Sequence, residues 1–135
     1  MTANNHGSLC ARALLKGARI LPAEDNLFNQ EVAAAVLEDA GVTVCLASNG
    51  LEALDMLNKE HFDVVLMDVQ MPEMDGLEAT MHIRANPALS GLRVIAMTAN
   101  VSNVDRERCF EAGMDDFIAK PIQAEHLYNT IEKWL

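Results

Sequence analysis

From Ala18 onward, short apolar runs alternate with segments whose apolar residues recur at helical spacing. The candidate strands are 18–23, 42–46, 62–67, 92–97 and 116–119. Val64-Val65-Leu66-Met67 and Val94-Ile95-Ala96-Met97 are apolar at consecutive positions. Uninterrupted apolar character is expected of a strand covered on both faces, as in a parallel sheet with helices above and below. Between the strands, Leu27, Phe28, Val32, Val36 and Leu37 mark one helix and Leu51, Leu54 and Leu57 another; Leu127, Ile131 and Leu135 mark the last at i, i+4, i+8 spacing. Gly41, Gly50, Gly91 and Gly113 fall between elements, where turns and helix C-caps favour glycine. Five strand–helix units in residues 18–135 predict one α/β domain with a parallel sheet between two helical layers. Residues 1–17 read as a tail or linker.

Composition narrows what this domain can do. The 135 residues carry 20 acidic and 10 basic side chains, a formal charge of −10. An acid excess of this size opposes an electrostatic grip on nucleic acid or on an anionic membrane surface. The longest apolar run, at 32–37, is far short of the roughly 18 residues that suggest a membrane span. The first residues lack the basic-then-apolar pattern of a signal peptide. Cys10, Cys45 and Cys109 form neither a disulfide framework nor a CxxC pattern, so a reducing, cytoplasmic setting is expected. In that setting the Asn100-Val101-Ser102 sequon is accidental. His6, His61, His82 and His126 are scattered and read as surface residues, and the eight methionines as gap fillers in core and loops.

Ligands of open α/β sheets bind beyond the C-terminal ends of the strands. The residues there are Glu24 and Asp25 after the first strand, Asp68 after the third, Thr98 after the fourth and Lys120 after the fifth. Any one of them has an ordinary explanation, such as a helix N-cap for an Asp. Together they place three carboxylates, one hydroxyl and one ammonium on a single edge. Close carboxylates repel by about 4 kcal/mol per pair at 4 Å and an effective dielectric near 20. A cation is therefore expected among them, and an all-oxygen donor set suits Mg²⁺.

Residues 18–135 resemble a response-regulator receiver domain. The resemblance rests on Glu24-Asp25-Asn26, on the stretch from Asp63 through Asp68 to Gly76, on Ala96-Met97-Thr98-Ala99-Asn100, and on the stretch from Ala112 through Phe117 to Lys120-Pro121-Ile122. Glu24-Asp25-Asn26 with Asn29-Gln30 is similar to receivers attached to hybrid sensor histidine kinases. The resemblance implies a flavodoxin-like (βα)5 three-layer sandwich with strand order 2-1-3-4-5. It implies a phosphorelay switch in which Asp68 takes a phosphoryl group from a phosphohistidine on a histidine kinase or phosphotransfer domain. Asp25, Asp68 and the backbone carbonyl of Gln70 would hold Mg²⁺, with Mn²⁺ as an alternative, and Glu24 would help through water. Lys120 and Thr98 would contact the phosphoryl oxygens. Thr98 and Phe117 would form the switch, Phe117 turning inward as Thr98 moves; Phe lacks the hydroxyl that Tyr carries there in many receivers. Ala99 is small enough to leave access to Asp68. Gln70 and Asn100 would tune phosphoryl lifetime, and Lys120-Pro121 would be a cis peptide. Such a domain catalyses its own phosphorylation and dephosphorylation, with kinase activity only in a parent hybrid kinase. That parent, if membrane-bound, would tether it. No nucleic acid or direct membrane contact is implied, and the oligomeric state is open.

The charge sum supports this chemistry. Glu24, Asp25 and Asp68 supply −3, the phosphoryl group brings about −2, and Mg²⁺ with Lys120 returns +3. One rival is an aspartyl-phosphate hydrolase, which commonly carries a second Asp two residues after the nucleophile; Gln70 stands there. Another is a binding module without phosphorylation, if Pro22 spoils the metal site. Pro inside the first strand predicts a missing ladder bond or a local distortion that moves Glu24 and Asp25. Glu73 and Asp75 read as solvated loop acids, with Pro72 stiffening their loop.

Overall fold

The computed structural model describes residues 15–135 apart from 72, 90 and 100–102. The readings made above on residues 1–14, Pro72 and the Asn100-Val101-Ser102 triplet lie outside the described residues. Among the described residues five strands alternate with five helices: β1 (Arg19–Ala23), α1 (Leu27–Asp39), β2 (Thr43–Val44), α2 (Gly50–Lys59), β3 (Val64–Asp68), α3 (Gly76–Ala85), β4 (Arg93–Thr98), α4 (Asn103–Ala112), β5 (Asp116–Ala119) and α5 (Ala124–Trp134). The strands form one parallel sheet in the order β2-β1-β3-β4-β5. This is the flavodoxin-like order, and its reversal lies between β1 and β3.

Alternate residues of each strand feed two separate cores, as period-2 geometry requires. Ile20, Val64, Leu66, Ile95, Met97 and Ile118 pack with Leu37 of α1 and Leu127, Tyr128 and Ile131 of α5. Leu21, Val65, Met67, Val94 and Ala96 pack on the other face with residues of α2, α3 and α4. The central strands β3 and β4 read as continuous apolar runs because both faces are covered.

Three sequence expectations change. Leu27 and Phe28 do not face the core: they are 74% and 71% exposed, and α1 buries Gln30, Ala33 and Leu37 instead. Strand β2 is shorter than 42–46. Finally, Leu15 is fully buried in the first core, and the Gly17 amide donates to the Gly41 carbonyl at 2.9 Å. The last residues of the expected tail are therefore packed on the domain.

Pro22 explains the short β2. Toward β3, β1 stays in register through Pro22, which pairs with Leu66. Toward β2, Cys45 donates to the Ile20 carbonyl at 3.3 Å and Ala47 to the Pro22 carbonyl at 3.0 Å. The bond between them would need an N–H on residue 22, which proline lacks. The ladder stops after Val44 and resumes only at a single bridge between Ala23 and Ala47.

Candidate functional site

The strand order reverses at β1 and β3, and their C-terminal ends bring Glu24, Asp25 and Asp68 together. One carboxylate oxygen from each lies within 4.8 Å of the others. Glu24 and Asp68 are buried, 2% and 5% exposed, whereas Asp25 is exposed. Asp68 and Thr98 are the last residues of β3 and β4 rather than the first residues beyond them. Ladder pairing with β4 and β5 thus fixes their backbones.

Lys120 follows β5 and reaches across the sheet edge. Its Nζ donates to Glu24 Oε1 at 2.7 Å and to Asp68 Oδ2 at 2.8 Å. Burial pulls the Lys120 pKa down, but the hydrogen bonds to Asp68 and Glu24 and their negative charge outweigh it and hold the ammonium above its ordinary value. The Lys120–Pro121 peptide is cis. Asp68 Oδ1 accepts from the Gln70 amide at 3.1 Å, so both Asp68 oxygens are oriented.

Backbone contacts hold the acids in place. The buried Gln30 donates from Nε2 to the Glu24 carbonyl at 2.6 Å, and Asn26 caps α1 by accepting from the Asn29 amide at 3.0 Å. Asp75, read above as a solvated acid, caps α3: its Oδ1 accepts from the Glu78 amide at 2.9 Å. Gly76 opens α3 directly under Asp68. A Cβ there would collide with the Asp68 carbonyl oxygen and stand 2.8 Å from Met67 Cγ. Gly76→Ala is expected to destabilise the fold by about 2–3 kcal/mol, measured by urea unfolding, because backbone rather than a flexible side chain must move.

Pro22 leaves this geometry intact. The Glu24 amide donates to the Ala47 carbonyl at 2.9 Å, re-anchoring the chain one turn of the ladder beyond the proline. The expected displacement of Glu24 and Asp25 is not seen, since both stand in the carboxylate cluster. Pro22→Val is expected to supply the missing N–H and raise stability by up to about 1 kcal/mol in urea unfolding, while Mg²⁺ affinity by titration stays within two-fold.

A cavity of about 390 Å³ opens over the cluster. Besides the acids, its wall includes Gln70, Thr98, Ala99 and Lys120, and from α4 Asp105, Arg108 and Cys109. Burial, and then the charge of Asp105, raise the Cys109 thiol pKa, so it stays protonated. Phe117 lies on β5, half-buried, edge-on to Phe110 at 6.5 Å and under the Arg106 guanidinium at 4.5 Å. Thr98 is buried.

The donor set fits a hard divalent cation. It is all oxygen, it carries three carboxylates against the single ammonium of Lys120, and one oxygen from each acid lies within 4.8 Å of the others. The sequence pattern missed the α4 wall and the hold that Gln30 has on the Glu24 carbonyl. Gln30 had a signal, a polar residue in the buried i, i+3, i+7 stripe with Ala33 and Leu37; Asp105 and Arg108 had none.

The family profile described as response regulator receiver domain matches residues 20–132. Among curated proteins, hybrid signal transduction histidine kinase K of Dictyostelium discoideum is 40% identical over 84% of this chain, and histidine kinase 3 of Arabidopsis thaliana 38% identical over 94%. The chain spans only 10% and 14% of those two proteins. A solved receiver domain of a sensor histidine kinase from Pseudomonas aeruginosa, with magnesium in its active-site cleft, superposes with a TM-score of 0.82 at 39% identity, covering 87% of this chain and 97% of its own. A response-regulator receiver domain from Saccharomyces cerevisiae, co-crystallised with a histidine phosphotransfer protein, also reaches 0.82, at 27% identity, covering 88% of this chain and 89% of its own. Among the described residues no helix is long and apolar enough to cross a membrane.

Proposed function

The chain belongs to the response regulator receiver domain family of two-component signalling, and on that premise we propose that Asp68 is its phosphoacceptor and that the chain acts as a phosphorelay switch within a hybrid histidine kinase. The observation that carries the reading is Lys120 Nζ bridging Glu24 and Asp68 beside a three-carboxylate cluster. An Asp68 oxygen attacks the phosphorus of a phosphohistidine. The P–N bond breaks as the P–O bond forms, and its electron pair returns to the imidazole. The product is an acyl phosphate on Asp68.

Each residue has a physical task. Lys120 orients Asp68 through its hydrogen bond and has a third N–H for a phosphoryl oxygen. Thr98, at the end of the neighbouring strand, donates its hydroxyl to another. Asp25, Asp68 and the Gln70 carbonyl would hold Mg²⁺, with Glu24 assisting through water, and the bound cation would offset the −3 charge that otherwise repels an incoming anion; Mn²⁺ would suit the same oxygen donors. Catalysis here is positioning and electrostatics. Once Asp68 is phosphorylated, Thr98 shifts toward the phosphoryl group and Phe117 leaves its place beside Phe110 and Arg106 to fill the space. The donor is a phosphohistidine on a kinase or phosphotransfer domain, a reading supported by the yeast complex among the structural relatives.

Incubation with acetyl phosphate and Mg²⁺ tests the proposal. Acid-stable, hydroxylamine-labile phosphate is expected on the protein at one per chain. Its absence, or turnover of small phosphoesters without a stable adduct, would overturn the reading.

A further inference from the structure

The cavity over Asp68 is hostile to the ligand it must admit. Among the described residues, its wall carries five acids, Glu24, Asp25, Asp68, Asp75 and Asp105, and two bases, Lys120 and Arg108. Lys120 already donates to Glu24 and Asp68. Arg108 is different. It projects from α4 with its side chain 61% exposed, and its ion-pair neighbour among the described residues, Asp105 at 4.0 Å and on the same helix, is at the limit of contact. A guanidinium at the mouth presents paired N–H groups in the geometry that phosphate oxygens match. Loose pairing leaves it able to turn toward an arriving anion.

We propose that Arg108 is the binding residue that receives the dianionic end of the phosphoryl donor at the mouth of the cavity, before the group reaches Asp68. This inference rests on the phosphoacceptor reading of Asp68 and assigns to α4 a role in donor capture. Donors of one chemical class are meant: phosphoryl groups on a good leaving group, whether phosphohistidine, phosphoramidate or a small acyl phosphate. Capture is an encounter step, so Arg108 raises the second-order rate at low donor concentration and leaves the metal site alone. The effect is electrostatic and half in solvent, so salt must weaken it.

The test measures initial rates of Asp68 phosphorylation by acetyl phosphate and by phosphoramidate, at saturating Mg²⁺ and at low and high ionic strength. Arg108→Ala is expected to lower the second-order rate roughly 5- to 10-fold at low salt, with the gap narrowing at high salt. Mg²⁺ affinity and unfolding midpoint stay at the wild-type values, which a merely structural role would not allow. Arg108→Lys recovers much of the rate. The double variant Asp105→Asn/Arg108→Ala stays slow, which separates loss of the guanidinium from unmasking of Asp105. Rates within two-fold of wild type for Arg108→Ala, or a double variant restored to the wild-type rate, would overturn the inference while leaving Asp68 as acceptor. A wild-type protein that takes no phosphate at Asp68 would sink both.

Discussion

Asp68→Asn is expected to reduce stable phosphate incorporation to background, a loss of at least about 100-fold, because the amide oxygen is a poor nucleophile at phosphorus. The variant keeps its fold. Asp68 is buried beside Glu24 and Asp25, with carboxylate oxygens within 4.8 Å of one another, and two carboxylates that close repel by at least about 3 kcal/mol at an effective dielectric near 20. Removing one charge relieves that repulsion, and Lys120 still has Glu24 at 2.7 Å. The unfolding midpoint without Mg²⁺ is therefore expected to hold or rise. Mg²⁺ affinity falls at the same time, since one of the three carboxylates that fit the cation has become neutral. Loss of phosphorylation through unfolding would instead appear as a lowered midpoint, and the urea curve separates the two.

Lys120→Ala has the opposite effect on stability. Glu24 and Asp68 have side chains 2% and 7% exposed, and Lys120 is the cation that both contact. Without it two nearly buried carboxylates face each other unpaired, and the metal-free fold is expected to lose about 3 kcal/mol. Added Mg²⁺ restores part of this loss, because it binds only the folded cluster. Phosphorylation also falls, by 10-fold or more, as the phosphoryl oxygens lose a donor. The pH dependence follows from the direction of the Lys120 shift. Its pKa in the fold lies above the ordinary value of 10.5. The contribution to stability is therefore complete below 10.5 and disappears only as pH climbs through the higher folded value. The gap between wild type and Lys120→Ala should be flat from pH 7 to 9 and close in stronger base.

The fold was readable in the sequence where burial left one option. β3 and β4 are covered on both sides, so Val64-Val65-Leu66-Met67 and Val94-Ile95-Ala96-Met97 carry an unbroken apolar pattern. β2 was harder, because its length depends on an N–H that Pro22 lacks on the adjacent strand, a non-local fact. α1 misled by composition: Leu27 and Phe28 are apolar but exposed, while the polar Gln30 is buried to hold the Glu24 carbonyl. The site was readable because strand ends of a parallel sheet converge, so the sequence order of strands alone places Glu24, Asp25, Asp68, Thr98 and Lys120 on one edge. Two features were not. Gly76 matters through the space beneath the Asp68 carbonyl, and Arg108 through the direction α4 takes across the cavity. Both depend on how a helix is docked, which spacing alone does not encode.

The central claim is that Asp68 itself takes the phosphoryl group. Borohydride reduction of the phosphorylated protein, followed by peptide mapping in a mass spectrometer, tests it most directly, because an aspartyl phosphate is reduced to homoserine at the residue that carried it. The account predicts homoserine at position 68, formed only after treatment with donor and Mg²⁺ and absent from Asp68→Asn. Reduction at another carboxylate, or stable phosphate on His126 with position 68 unchanged, would contradict it.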